Sequence, residues 1–337
     1  MKKLLSLSAL LLVGCATVKD NDENERPHWL TNPQRAFPLE FYFTGIGSGP
    51  TRRDAENAAL ASLAQTFKAE VKAVETSSTV AHETFGGADP SFVREDDYRR
   101  TVNVSTALAL KNVTYPRSWK SPSGRVHVIA AINRNETGRL YRDAVARRNT
   151  RIQRLVQRQV AEPVKQYAAL REAARLATKN AADLDLLRVL NPGLAEKVEP
   201  PYSVDELADD LGDAAGAVPF AIHLKAPPEV VDVVRALVVR EGFRVADDGV
   251  CRIEGHVELA AAQSGRADRV DVNYVCEVRV VDPDGQVVAT VADTGRESSI
   301  DQPRANRAAV RQIEALLERE LVPRLNQWLD SLAGTNS

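Results

Sequence analysis

The feature that most constrains the fold is a strand-like segment followed at once by a helix-like segment with small apolar residues. Residues 40–49 combine three consecutive aromatic residues with a Gly-x-Gly-x-Gly end, which predicts a strand that runs into a glycine turn. Thr51 and Asp54 form a pair typical of a helix N-terminus. The apolar positions that follow recur at helical spacing, and their small size favours a helix lying close on a sheet. They are Ala55, Ala58, Ala59, Leu60, Leu63, Ala64 and Phe67.

The first block of the chain continues with segments of strand-like alternation. They cover residues 71–76, 102–113 and 125–132, with a hairpin turn predicted at 121–124. The order of strand, helix and then three strands predicts a single sheet-and-helix layer pair over residues 27–134.

The middle of the chain has a helical character. From Asn135 to about Asn180, β-branched residues are few, and we expect a long exposed helix followed by shorter ones, with an interruption at Pro163. Residues 203–206 are typical of a helix cap and predict a further short helix. We therefore assign residues 135–216 to a helical segment.

A second block, residues 217–333, has the same kind of pattern as the first. Strands are predicted at 220–224, 243–245, 250–260, 270–281 and 286–294, with a helix over 228–240 and a closing helix from Asp301. The closing helix lines up with the first helix at an offset of 250, which suggests two related units. The fold class predicted is α+β, with two small sheet-plus-helix domains joined by a helical segment.

The N-terminus predicts export. Lys2 and Lys3 precede an apolar run of about a dozen residues, which is the layout of a signal peptide over residues 1–14 and too short to span a bilayer. Residues 12–15, Leu-Val-Gly-Cys, resemble a lipobox, which implies cleavage before Cys15 and lipid on its thiol. An ordinary signal peptide with an incidental cysteine and an uncleaved anchor are the alternatives. Residues 15–26 are then expected to form the lipidated cysteine and a polar tether. In the lipoproteins that this N-terminus resembles, an aspartate after the cysteine favours the inner membrane. The resemblance therefore implies that Ala16 favours the outer membrane, with the folded part in the periplasm.

Residues 27–142 resemble one known family. Pro27-His28-Trp29, the strand with glycines 45, 47 and 49, and the helix with Asp54-Ala55 and Ala58-Ala59 are similar to the LPP-twenty lipoprotein family. The resemblance implies a membrane-attached envelope protein without catalytic residues, and relatives of this domain occur in flagellar basal-body assembly proteins. The remaining two thirds of the chain lie outside the resemblance.

Composition and motif spacing argue against several functions. The formal net charge of -2 does not indicate a nucleic-acid partner. The five histidines are scattered, and the cysteine spacing matches no zinc pattern, so no metal site is expected. A dinucleotide fingerprint needs a third glycine where Pro50 stands, so we expect no cofactor and read the glycines as structural. No catalytic constellation and no small-molecule substrate is identified.

Cys251 and Cys276 lie on the apolar faces of two predicted neighbouring strands. If residues 260–267 form the connection, the two cysteines are directly opposed and within disulfide range. A disulfide is predicted for an oxidising compartment, with two buried free thiols as the alternative.

An arginine-rich stretch is the partner-binding candidate. It has few acidic residues of its own, so it could contact anionic headgroups, a glycan or an acidic partner. The alternative is a solvated helix whose arginines pair with acidic residues elsewhere. The candidate residues are Arg139, Arg142, Arg147, Arg148, Arg151, Arg154 and Arg158.

We therefore expect a non-enzymatic outer-membrane lipoprotein that acts through contacts with other envelope proteins, in a structural or assembly role, with a flagellar association or a homo-oligomer as forms of that role. The alternative function is a binding module that grips peptidoglycan or an acidic polymer through the arginine-rich helix.

Overall fold

The protein is α+β, as predicted. The computed structural model describes residues 26–78, 110–158, 160–266 and 268–334, without the side chains of 72–78. These residues fall into two compact units. The first contains the described residues up to Phe67 together with Asn112–Asn133, and the second contains the others.

The first unit is built on a three-stranded antiparallel sheet. Its elements are α1 (His28–Thr31), α2 (Pro33–Ala36), β1 (Tyr42–Gly49), the first part of α3 (Arg52–Ser78), β2 (Thr114–Lys120) and β3 (Val126–Asn133). The sheet order is β1-β3-β2, with Tyr42 opposite Asn133 and Gly49 opposite Val126. The long β1–β3 pairing places β3 in the centre, where Val128 to Ile132 are buried.

The glycines of the first unit do not form a turn, so that prediction is wrong. Gly45, Gly47 and Gly49 are alternate residues of the extended strand β1. A β-carbon at Gly47 would lie 2.5 Å from the carbonyl oxygen of Ala55 and closer still to the amide nitrogen of Ala59. Because successive side chains of a strand point to opposite faces, the spacing of two leaves one face bare, and α3 lies directly on it. The glycines serve the close approach of the helix.

The helix that packs on this strand is the predicted one. Thr51 Oγ1 accepts a hydrogen bond from the backbone N–H of Asp54 at 3.2 Å, which confirms the capping pair. The residues facing the sheet are at most 1% exposed, namely Ala55, Ala59, Leu63 and Phe67. The strand predicted at 71–76 is wrong, since α3 continues to Ser78. Most of the strand predicted at 102–113 lies outside the described residues, and the described strand after it is Thr114–Lys120.

The second unit contains a four-stranded sheet and six helices among its described residues. The helices are α4 (Arg134–Gln157), α5 (Pro163–Leu190), α6 (Pro192–Ala195), α7 (Val204–Gly216), α8 (Pro228–Arg240) and α9 (Gln302–Gly334). The strands are β4 (Phe220–Lys225), β5 (Cys251–Ala262), β6 (Val270–Val281) and β7 (Val287–Ser299), in the order β4-β5-β6-β7. β4 and β5 are parallel, and the other pairs are antiparallel. Of the short strand predicted at 243–245, Val245 forms an isolated bridge with Phe220.

One continuous hydrophobic core joins the helices of this unit to its sheet. Ile152 of α4, Leu170 of α5, Leu211 of α7 and Ile313 of α9 all belong to it together with Val278 of β6. The helix break predicted at Pro163 is confirmed, because α5 begins there. The expectation that shorter helices follow is wrong for α5, which has 28 residues against 24 in α4. Most residues of α5 with an apolar side chain are buried.

The closing helix α9 repeats the buried pattern of α3. Its residues at the offset of 250 from the buried residues of α3 are themselves fully buried; they are Ala305, Ala309, Ile313 and Leu317. The two sheets differ in strand number and order. The repeat is therefore shown for the helix face alone.

Cys251 and Cys276 are free thiols, and the predicted disulfide is wrong. β5 continues to Ala262, which lies opposite Asp271, and this register places Val257 opposite Cys276. Cys251 therefore lies six residues, about 20 Å, further along β5. The prediction that both cysteines lie on the apolar faces of their strands is confirmed, since both thiols are buried in the core. The error came from the assumed length of the connection between the strands, which fixes the register.

Both buried thiols should react slowly. Burial raises the pKa of Cys251 to about 12 and that of Cys276 to about 11, so almost no nucleophilic thiolate forms at neutral pH. We expect mass spectrometry of unreduced protein alkylated in denaturant to find both thiols labelled, and alkylation of native protein at pH 8 to be at least about a hundredfold slower. An unlabelled pair in denaturant would show that a disulfide had formed.

The same burial predicts a loss of stability in alkaline solution. The folded state keeps the two thiols and the Tyr141 phenol protonated, because burial raises the pKa of Tyr141 to about 12. The unfolded state releases these protons near pH 9 to 10 and therefore binds fewer protons, so the free energy of unfolding falls as pH rises from 9 to 12. Urea titrations across this range should show the fall, and Cys251→Ala/Cys276→Ala should make it shallower. Equal slopes in the two proteins would contradict it.

Candidate functional site

The outward side of α4 carries a line of arginines. Buried Tyr141, Val145 and Ile152 define the inward side of the helix. At 100° per residue, Arg147, Arg151 and Arg154 point within roughly 60° of one another and away from the buried side. We call the following set the arginine face: Arg139, Arg147, Arg151, Arg154 and, directly after the helix, Arg158.

Two of the candidate arginines lie off this face and are neutralised. Arg142 pairs with its neighbour Asp143 at 2.7 Å. Arg148 points inward and pairs with Asp183 of α5, and its Nε donates to Asn180 Oδ1 at 2.6 Å. The alternative that the arginines pair with acidic residues elsewhere in the chain is therefore confirmed for Arg148, while Arg142 pairs within its own stretch.

Arg151 shares its acidic partner with a second arginine. Glu172 of α5 is buried, and its carboxylate lies 3.2 Å from Arg151 and 2.7 Å from Arg175. The hydrogen bond to Glu172 raises the pKa of Arg175 further above its ordinary value. More than half of each of the two guanidinium-bearing side chains is exposed. The group therefore presents a net positive charge to solvent.

The remaining arginines of the face have no ion-pair partner within the described part of the chain. Arg139, Arg147 and Arg154 are exposed, and Arg158 is partly exposed. A guanidinium group is permanently charged and offers two parallel N–H donors to a carboxylate or phosphate. The surface can bind anionic groups, and the fold holds it rigidly because α4 packs along α5.

A buried polar cluster fixes α4 against α5 behind the arginine face. Asn180 Nδ2 donates to Asn149 Oδ1 at 2.6 Å and to the Tyr202 hydroxyl at 3.3 Å. The Arg148–Asp183 pair completes the cluster, with 15% and 13% of the two side chains exposed. Near the start of α4, the buried hydroxyl oxygen of Thr137 has no hydrogen-bond partner among the described residues. This cluster could not be predicted from the sequence, because no local spacing relates residues that lie 22 to 35 positions apart.

An acidic counterpart on α7 was also missed. The sequence analysis used residues 203–206 only as a cap, which is confirmed by the hydrogen bond from the Glu206 N–H to Ser203 Oγ at 3.3 Å. The signal that could have found the surface is the absence of basic residues from 204–216 beside five acidic ones. They are Asp205, Glu206, Asp209, Asp210 and Asp213, all exposed, and we call them the acidic face.

Other parts of the described chain offer weaker sites. Among the described residues, no group of His, Cys, Asp or Glu is arranged to hold a metal ion. The glycines of β1 lie under α3, so their bare backbone faces a helix and is closed to a phosphate. An open groove of about 610 Å³ lies between β7 and α9, with Val287, Arg324 and Trp328 in its lining. Cys15 lies outside the described residues.

None of the helices in the described ranges has the length and apolar character needed to span a bilayer.

No protein-family model and no curated protein matches the chain. Among solved structures, the chain is similar to a secreted protein from the human pathogen Helicobacter pylori, with 14% identity over 86% of this chain and 98% of that one, at a TM-score of 0.42. It is also similar to a minor lipoprotein from Acinetobacter baumannii, with 14% identity over 34% of this chain and 84% of that one, at a TM-score of 0.19. Likenesses with TM-scores this low assign neither a fold nor a function, and the LPP-twenty resemblance stays a prediction.

Proposed function

We propose that the protein is a lipid-anchored lipoprotein of the outer membrane, with its folded part in the periplasm. It acts without catalysis, in a structural or assembly role through contacts with other envelope proteins. The signal-like N-terminus ending at Cys15 supports the location. The LPP-twenty resemblance is compatible with a flagellar form of this role.

The structural observation that carries the contact role is the arginine face. Arg139, Arg147 and Arg154 are exposed and have no ion-pair partner in the described residues. These three arginines are not needed for the packing of α4, because the buried Arg148–Asp183 pair and the apolar residues of α4 hold the helix in place. A charged, rigid and unneutralised helix face is suited to binding a partner of opposite charge.

The lipid anchor is tested by metabolic labelling. With radiolabelled palmitate, the wild-type protein should carry label and fractionate with the outer membrane, and Cys15→Ser should lose essentially all of the label because the acceptor thiol is gone. Cys276→Ser is the control and should stay labelled. Label that persists in Cys15→Ser would place the lipid elsewhere and contradict the proposal.

A second candidate function is the binding of peptidoglycan or another acidic polymer by the same arginine face. The specific observation in its favour is the spacing of Arg147, Arg151, Arg154 and Arg158, which extends over about 16 Å along one side of α4. Such a line matches repeated anionic groups better than a single small anion.

Sedimentation with purified cell wall tests this second function. Arg147→Gln/Arg154→Gln should weaken binding about fivefold or more, since each exposed contact contributes modestly and the two losses add. Arg307→Gln/Arg311→Gln, which removes two exposed arginines from α9, is the matched control. Equal binding by the two variants would show that the arginine face does not hold the wall.

A further inference from the structure

The second unit carries two helix faces of opposite charge. On α7, Asp205, Asp209 and Asp213 are spaced by four residues, so they share one side of the helix, opposite buried Leu207 and Leu211. With Glu206 and Asp210, the acidic face covers roughly 140° of the helix surface over about 12 Å. This length is comparable to the roughly 16 Å over which Arg147 to Arg158 of the arginine face extend.

The acidic face is not neutralised by the protein itself. All five of its side chains are exposed, and none forms an ion pair within the described ranges. Like charges at four-residue spacing destabilise an isolated helix. α7 is held instead by its cap at Ser203 and by buried Leu207, Leu211 and Ala214. The repulsion between these carboxylates does not stabilise the fold. A partner surface of positive charge would relieve it.

The two charged faces do not pair with each other in the described part of the molecule. α4 and α7 both pack against α5, and no ion pair within the described residues joins the arginine face to the acidic face. The formal net charge of the whole chain is only -2, so long-range repulsion between copies is weak. The charge is concentrated in two patches that complement each other between molecules.

We propose that the arginine face of one copy docks on the acidic face of a second copy. The arginines from 147 to 158 extend over about 16 Å and the five carboxylates over about 12 Å. Charge complementarity of this kind fixes orientation and speeds association. The contact is heterologous, because each copy contributes a different face. Each added copy leaves one face of each charge open, so the assembly grows into a ring or a chain of copies.

This inference deepens the proposed contact role by naming a second copy as the partner. It uses only described surfaces and does not depend on the lipid at Cys15. The palmitate experiment and the association experiment can therefore fail independently.

Charge reversal tests the contact. Sedimentation velocity is measured on the chain from residue 16 onward, which keeps every described residue, at high protein concentration in 20 mM and 500 mM salt. Wild-type protein should associate at 20 mM salt and return to monomer at 500 mM. Arg147→Glu/Arg154→Glu and Asp209→Lys/Asp213→Lys should each weaken association at least tenfold when studied alone. Arg307→Glu/Arg311→Glu, on α9, should associate like wild type.

An equimolar mixture of the two reversed variants gives the decisive result. In the mixture, the unchanged arginine face of Asp209→Lys/Asp213→Lys can dock on the unchanged acidic face of Arg147→Glu/Arg154→Glu, so the mixture should regain association. Because a misfolded variant cannot regain binding, this recovery also controls for folding. Wild-type protein that stays monomeric at 20 mM salt, reversed variants that associate like wild type, or a mixture that stays monomeric would each overturn the proposal. Binding of cell wall by a monomeric wild type would support the acidic-polymer function instead.

Discussion

Gly47→Val is expected to abolish the packing of α3 on the first sheet. Any β-carbon at Gly47 meets backbone atoms of Ala55 and Ala59, and no side-chain rotation can move them aside. The helix would have to shift away from β1, exposing Leu63 and Phe67, which are at most 1% exposed. Overpacking usually costs about 1–3 kcal/mol, and we expect the upper end or more here because both partners are backbone.

Hydrogen exchange can measure the loss of stability around β1 in Gly47→Val. Amides of β1 and β3 should lose at least about a hundredfold of their protection in Gly47→Val, which corresponds to about 3 kcal/mol. Gly212→Ala on α7 is the control, because nothing lies within 4 Å of the added carbon. It should stabilise its helix by up to about 1 kcal/mol. Wild-type protection of β1 in Gly47→Val would refute the role assigned to this glycine.

Asp183→Ala should destabilise the second unit by about 3–5 kcal/mol. It removes the carboxylate that neutralises Arg148, whose side chain is only 15% exposed, and leaves a charge between α4 and α5 without compensation. Asn180 keeps one hydrogen bond to the guanidinium group, which does not replace the ion pair. We expect urea unfolding to show an earlier midpoint for this unit.

Two further variants distinguish the destabilisation caused by an isolated buried charge from the contribution of the ion pair to the free energy of unfolding. Arg148→Met/Asp183→Leu removes both charges and should recover most of the loss, since apolar residues of similar size fill the space without desolvating ions. Glu318→Ala breaks the more exposed Arg240–Glu318 pair, with 43% and 41% of the side chains exposed, and should cost no more than about 1 kcal/mol. A loss in Asp183→Ala no larger than in Glu318→Ala would contradict the buried-pair interpretation.

Much of the local structure was predictable because it is encoded over short stretches. The helix over Pro228–Arg240 has the predicted limits, and the break at Pro163 and the cap at Ser203 occur where fixed backbone angles and side-chain hydrogen bonds require them. The strand over Val270–Val281 also follows its alternation. At 71–76, alternation predicted a strand, and the preceding helix continued through it.

The candidate surface was predictable only in part. The clustering of arginines after Asn135 is visible in the sequence, and helical spacing places Arg147, Arg151 and Arg154 on one side. That Arg148 instead points to Asp183 depends on how α4 crosses α5. The acidic residues of α7 are equally visible in the sequence. That they form one exposed face is clear only once the buried side of the helix is known.

The sequence by itself determined the α+β class, the starts of the longer helices and the alternation of the longer strands, because helix caps, prolines and periodicity act within a few residues. Tertiary structure alone decided the register that separates Cys251 from Cys276 and the use of Gly47 as a packing surface. It also decided which charges are buried in pairs and which remain on the arginine and acidic faces. Each of these depends on which segments distant in the chain meet, and that is fixed by the packing of the whole core.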